Sequence, residues 1–270
     1  MRPKPMRHRP TVADLRAMKG KRQLTMLRIM TLDEAEAAQD AGIDIVSVPP
    51  ELLLNPNYRD AAPSLFTMPG ENYYDIGTAD DFIRWSFRMV KASADAVYCS
   101  AGYATIKRMA DDAIPVIGHV GLVPSRATWT GGFKAVGKTA ASAWDIWEAV
   151  KALEAAGAIG AEIEVVPVEV AEAISKRTSL IMLSMGAGSG CDAQYLFADD
   201  VLGQNRGHMP RHSKVYRNFA AEFDRLQKER IAAFSEYRQD VETGAFPQET
   251  QIVKMPADEL SVFMQRLEQN

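Results

Sequence analysis

Between Ile114 and Glu169 the chain runs through an apolar strand, a glycine-rich loop, a helix and a second apolar strand that ends among acidic residues. The run opens as Ile114-Pro115-Val116-Ile117-Gly118-His119-Val120-Gly121-Leu122. It passes Gly131-Gly132-Phe133-Lys134-Ala135-Val136-Gly137-Lys138 and an alanine-rich segment, Ala140 to Gly157. It closes on Ala161-Glu162-Ile163-Glu164-Val165-Val166-Pro167-Val168-Glu169. Strands that alternate with helices build a parallel sheet. An acidic residue where such a strand meets its loop stands where an α/β barrel keeps its chemistry.

The same rhythm extends in both directions. Leu24–Ile29 reads as a first strand, with Thr11 capping a short helix before it and Thr31 capping one after it. Ile43–Val48 is a second strand, ended by Pro49-Pro50, and Glu51–Pro63 reads as a long loop. Ser64–Met68 is a third strand, Thr78 caps a helix to about Ser93, and Ala96–Cys99 is a fourth strand. Past the fifth (Val116–His119) and sixth (Ala161–Val165), Pro167 suits the first turn of a helix, where its missing N–H costs nothing. Leu180–Ser184 is the seventh strand, and a weak eighth is placed near Asp200–Leu202. Helical patterns then run over Lys214–Glu242 and Ala257–Gln269. Eight units point to one closed (β/α)8 barrel, a TIM barrel with extra C-terminal helices, spanning residues 1–270 as a single domain; such a barrel typically takes ~250 residues.

Composition narrows the partners. A net charge of -4 argues against nucleic acid, which favours a basic face. Two cysteines, Cys99 and Cys191, make no disulfide framework and suit a reducing compartment. No apolar run approaches the ~20 residues of a membrane span, and the basic N-terminus has no apolar segment behind it. The expectation is a cytoplasmic protein that acts on a small molecule.

The residues from Ile114 onward, with the Gly186-Ala187-Gly188 loop, Gly207-His208-Met209-Pro210-Arg211 and Gly244-Ala245-Phe246-Pro247, resemble the ketopantoate hydroxymethyltransferase family of the phosphoenolpyruvate/pyruvate barrel superfamily. That resemblance implies transfer of a one-carbon unit from methylenetetrahydrofolate to the carbon beside a 2-oxo acid's carbonyl. It also implies magnesium, held by two aspartates and a glutamate, and a homo-oligomer. The family's general base falls on Glu164.

The family's metal ligands do not carry over. Its first aspartate position reads Val48-Pro49-Pro50-Glu51-Leu52, its second Met68-Pro69-Gly70-Glu71, and its glutamate position Cys99-Ser100-Ala101-Gly102. Its substrate-binding lysine is Tyr98 here. Two chemistries follow. In one, Glu51 and Glu71 rebuild a Mg²⁺ or Mn²⁺ site with His119 or a water. In the other, the metal is gone and Arg28, Lys134 or backbone amides stabilise negative charge. His119, Lys134, Tyr98, Arg28 and Ser184 are placed on the substrate side. Glu162 and Glu169 are read as strand-end carboxylates paired with neighbours, and His208 and His212 as loop or subunit-contact residues.

The sequence thus predicts aldol-type carbon–carbon bond formation or cleavage, by hydroxymethyl transfer or formaldehyde release, on a 2-oxo acid or related carboxylate. The alternatives are the parent reaction on 3-methyl-2-oxobutanoate with shifted metal ligands, and an inactive paralogue that binds or assembles.

Overall fold

The computed structural model describes residues 8–70 and 76–269. The chain divides into two compact units, Met1–Arg217 and Asn218–Asn270. The first contains eight parallel strands: β1 (Leu24–Arg28), β2 (Ile45–Val48), β3 (Phe66–Pro69), β4 (Val97–Tyr98), β5 (Val116–Gly121), β6 (Gly160–Glu164), β7 (Ile181–Met185) and β8 (Ala193–Phe197). Their order is β3-β2-β1-β8-β7-β6-β5-β4, and a parallel bridge between Gly70 and Tyr98 joins the two ends. This is a (β/α)8 TIM barrel.

Helices α1 (Val12–Met18), α2 (Leu32–Ala41), α3 (Pro50–Leu53), α4 (Tyr58–Ala61), α5 (Ala79–Lys91) and α6 (Tyr103–Asp111) belong to the first half. The second half adds α7 (Ala127–Thr130), α8 (Ala140–Ala155), α9 (Val168–Ser175) and α10 (Ala198–Leu202). Thr11, Thr31 and Thr78 cap α1, α2 and α5 as expected, each hydroxyl accepting the N–H three residues on. Each such cap is worth about 1 kcal/mol. Pro167 is the N-cap of α9, one residue earlier than expected.

Two elements differ from the sequence pattern. The expected long loop after β2 holds the short helices α3 and α4, pinned by buried Leu52, Leu53 and Tyr58. The eighth strand is Ala193–Phe197, and the expected position falls in α10. The chain turns from β7 through the Gly186–Gly190 loop straight into β8, so the strand arrives before any helical pattern could announce it.

The strand period of two divides the core into an inner and an outer layer. Inside the barrel lie Leu24, Met26, Ile45, Phe66, Met68, Ile117, Ile181, Leu183 and Tyr195. Outside, Val46, Val48, Val97, Val116, Val120, Ala161, Ile163 and Met182 pack against the helices. The inward series changes character toward the C-terminal ends of the strands: after Met26 comes Arg28, after Ile45 Ser47, and after Ile117 His119.

The second unit contains α11 (Phe219–Thr243) and α12 (Ala257–Glu268). Among the described residues no helix is long and apolar enough to cross a membrane.

Candidate active site

A cavity of about 530 Å³ opens at the C-terminal ends of the strands. Its polar lining includes Arg28, Ser47, Tyr98, His119, Glu162, Glu164, Tyr195, Asp200 and His212, beside Met185, Leu196 and Phe197. The strand period explains the gathering. Glu162 and Glu164 are two residues apart on β6 and share the inward face, and His119 on β5 is the register partner of Glu162.

His119 is the hub. Its side chain is 2% exposed, and its Nδ1 lies 2.5 Å from the Tyr98 hydroxyl. Its Nε2 lies 3.1 Å from Glu164 Oε2, yet makes no aligned hydrogen bond. The contact is therefore a close charge approach rather than a directed bond. Burial alone would lower the pKa of this imidazole, but Glu162 and Glu164 together outweigh burial and the net shift is upward. Burial pushes the Glu162 carboxyl up to about 7; the charge of Glu164 adds to that, while His119 and Arg28 oppose it. Glu164 is less enclosed, with 13% of its side chain exposed into the cavity.

On the opposite wall Arg28 donates to Ser47 Oγ at 2.9 Å, with Tyr195 lining the same wall. Burial raises the pKa of Tyr98 and of Tyr195, so both remain neutral hydroxyls at neutral pH. His212 lies over Gly186, where a Cβ would sit 2.7 Å from its Nδ1; burial lowers its pKa. Gly186 takes a φ of 67°, so a side chain there would be doubly excluded.

Glu164 is followed by an unusual backbone. Val165, a β-branched residue, has a φ of 49°. Its N–H donates to Met185 O at 2.8 Å and its carbonyl accepts from Val136 N at 3.1 Å. Neighbouring strands and the glycine-rich loop thus hold the strained residue that aims Glu164. Gly121, with a φ of 85°, clears the way for the Glu164 carbonyl, which a Cβ would strike.

The predicted residues sort clearly. Glu164, His119, Tyr98 and Arg28 come together around the cavity. Ser184 is on the outward face of β7, buried, with its hydroxyl donating to Gly188 O at 2.7 Å and accepting from Ala187 N; it shapes the glycine loop instead of facing substrate. Lys134 is exposed in the loop after α7 and does not line the cavity. Glu51 is exposed on α3, away from the cavity lining. Glu71 lies outside the described residues, as do Tyr73 and Tyr74. Glu162, Tyr195 and His212 are site residues that the sequence pattern did not single out. Counting back two residues from Glu164 would have placed Glu162 on the same face.

The magnesium implied by the resemblance does not fit the strand ends that hold it in the family. Val48-Pro49-Pro50, Met68-Pro69-Gly70 and Cys99-Ser100-Ala101 carry no carboxylate. Burial pushes the Cys99 thiol up to about 11, which keeps it protonated and a poor ligand. A different group among the described residues could hold an ion: ligand atoms of His119, Glu162 and Glu164 lie within 4.8 Å of one another.

Eight parallel strands whose C-terminal mouth gathers carboxylates, an imidazole and a guanidinium define a (β/α)8 barrel of the enzyme type. The family model for ketopantoate hydroxymethyltransferase matches residues 65–249. A Kosmotoga olearia relative named 3-methyl-2-oxobutanoate hydroxymethyltransferase is 31% identical over 252 residues, covering 85% of this chain and 92% of its own. A Methylibium petroleiphilum relative named 3-methyl-2-oxobutanoate hydroxymethyltransferase 1 is 28% identical over 288 residues, covering 98% of this chain and 96% of its own. Among solved structures, oxaloacetate acetylhydrolase in complex with 3,3-difluorooxalacetate aligns with a TM-score of 0.52 and 11% identity, over 88% of this chain and 98% of that one. Such a low identity speaks to the fold alone. The chain belongs to the ketopantoate hydroxymethyltransferase family. Hydroxymethyl transfer, an aldol-type carbon–carbon chemistry on a 2-oxo acid, is the metal-dependent reaction of that family.

Proposed function

We propose that this chain forms or cleaves a carbon–carbon bond beside the carbonyl of a 2-oxo acid, with Glu164 as the general base. The observation that carries the proposal is the place of Glu164: it stands at the inward lip of β6, in a cavity shared with Arg28, Tyr98 and His119.

In the forming direction, the Glu164 carboxylate takes the proton from the carbon next to the carbonyl. The C–H electron pair becomes the enolate, and negative charge passes to the carbonyl oxygen. Arg28 pairs with the substrate carboxylate, since a guanidinium matches that group's two oxygens. The hydroxyls of Tyr98 and Tyr195 line the same cavity and are the donors available to the developing oxyanion. The enolate carbon then attacks the carbon of formaldehyde, free or released from its carrier by hydrolysis, the C=O pair passes to oxygen, and that alkoxide takes back the proton held by Glu164. Cleavage runs the same steps backward and releases formaldehyde.

The departures from the family pattern favour a substrate other than the parent one. Tyr98, which lines the cavity, stands where the family binds substrate with a lysine. Tetrahydrofolate as the one-carbon carrier and a homo-oligomeric assembly belong to this proposal through the family alone. The test is a panel of 2-oxo acids, offered with formaldehyde or methylenetetrahydrofolate and read by mass spectrometry for a hydroxymethylated product. A product with at least one acid is expected. No product from any acid, in either direction, would leave the non-catalytic alternative standing.

A further inference from the structure

Inside the barrel, Glu162 plays no part in the steps above, although placing a carboxylate there is costly. It is 5% exposed, on a strand interior, beside a second carboxylate. His119 adds a second anomaly: Nε2 is buried and 3.1 Å from Glu164 Oε2, yet makes no aligned hydrogen bond. Buried polar atoms are satisfied in more than nine cases in ten, so a buried nitrogen on a cavity wall without an aligned bond calls for an occupant.

We propose that His119 Nε2, Glu162 and Glu164 form a site for a divalent first-row transition cation, carried on β5 and β6 instead of the ends of β2, β3 and β4. The ligand atoms lie within 4.8 Å of one another, a spread that one ion can gather with small side-chain movements. One imidazole and two carboxylates suit Mn²⁺, Fe²⁺, Co²⁺ or Zn²⁺ better than Mg²⁺, which favours oxygen alone.

The surroundings of His119 match a ligand. Coordination through Nε2 requires the other ring nitrogen to carry the proton, and Nδ1 has the Tyr98 hydroxyl at 2.5 Å to accept it. Two carboxylates, a divalent ion and Arg28 sum to one positive charge, which a 2-oxo acid monoanion neutralises.

The three ligands are not equivalent. Glu162 and His119 are enclosed, whereas Glu164 stands at the lip with 13% of its side chain exposed. With His119 and Glu162 holding an ion, that ion would stabilise negative charge on an oxo acid, and Glu164, the more exposed of the three, would be the one able to leave it and act as the base. This last step rests on the function proposed above; the cation site itself does not.

The experiment uses the full chain, stripped with chelator and titrated separately with Mn²⁺, Co²⁺ and Mg²⁺. Bound metal per chain is measured by plasma mass spectrometry and the Co²⁺ form by its visible spectrum. About one Mn²⁺ or Co²⁺ per chain is expected, with weaker Mg²⁺ binding. Glu162→Gln and His119→Gln should weaken binding at least tenfold, and Glu164→Gln less so. Tyr98→Phe, which removes only the partner of Nδ1, should weaken it about 10–100-fold and guards against a variant that fails to fold. Glu51→Gln should change nothing. No stoichiometric binding, or equal binding by the wild type and all four site variants, would overturn the site. A bound ion in a protein that exchanges no substrate proton would keep the site and sink the function. Substrate exchange that survives complete metal removal would keep the function and remove only the step in which the ion stabilises charge on the oxo acid.

Discussion

His119 and Glu162 are register partners across the β5–β6 ladder, and both point into the barrel beneath Glu164. A buried imidazole and a buried carboxylate at facing positions are a poor way to stabilise a core. Glu162→Gln keeps the shape and removes the charge. In the metal-free protein this change should be neutral or stabilising by about 1–3 kcal/mol, because buried charge is costly. The Tm of the stripped protein, compared with wild type, reads it. A clear fall in Tm would show that Glu162 holds the fold together.

Val165 stores strain next to Glu164, the proposed base. A left-handed conformation costs an L-residue about 1–2 kcal/mol, and glycine gives back about 0.5–1 through its greater entropy. Val165→Gly should therefore raise the Tm by a few degrees, about 2–4 °C per kcal/mol in a chain of this size. It should also slow proton transfer, since Glu164 would be less firmly aimed. Thermal melts and single-turnover kinetics measure the two effects separately.

The opposite end of the barrel carries a structural pair. Asp192 is buried and accepts from Lys19 Nζ at 2.6 Å and from Met182 N at 2.8 Å, joining the segment after α1 to β7. Asp192→Ala leaves both donors without that acceptor and should cost about 3 kcal/mol in urea unfolding. Asp192→Asn, which can still accept from Met182 N, should cost less. Neither change should alter cation binding at the other end.

Stability should also respond to pH through Asp44. Its carboxylate is held below the usual value: burial opposes this, but two bonds from Arg22 and those from the Thr25 N–H and hydroxyl prevail. A depressed acid stabilises the fold above its unfolded value of about 3.9 and loses that contribution as pH falls through the lower folded value. Asp44→Asn should therefore be less stable than wild type at pH 7, and the gap should narrow below pH 4. A gap independent of pH would assign the effect to packing.

The barrel was legible because burial on both sheet faces makes each strand an apolar run, and threonines mark where helices begin. β8 was hidden: Ala193-Gln194-Tyr195-Leu196-Phe197 follows the glycine loop without a helix to set the rhythm. Glu164 and His119 were visible at strand ends. Glu162 was read only as a strand-end carboxylate paired with a neighbour, because nothing local shows that the barrel closes over it. Ser184 failed for a related reason: strand alternation turns it toward the helices, one residue away from inward-facing Met185. Glu51 falls on the exposed face of the short helix α3, inside what the sequence read as a loop, and Lys134 lies in a loop whose direction no local pattern fixes.

Glu164 is the residue proposed to move the substrate proton. Deuterium exchange at C3 of 3-methyl-2-oxobutanoate, or of the best acid from the panel, followed by NMR in the wild type and in Glu164→Gln, addresses it directly. Exchange by the wild type, reduced about 10²–10⁴-fold in the variant while both melt at similar temperatures, is the predicted result. Exchange at the same rate in both proteins would place the base elsewhere and contradict the account.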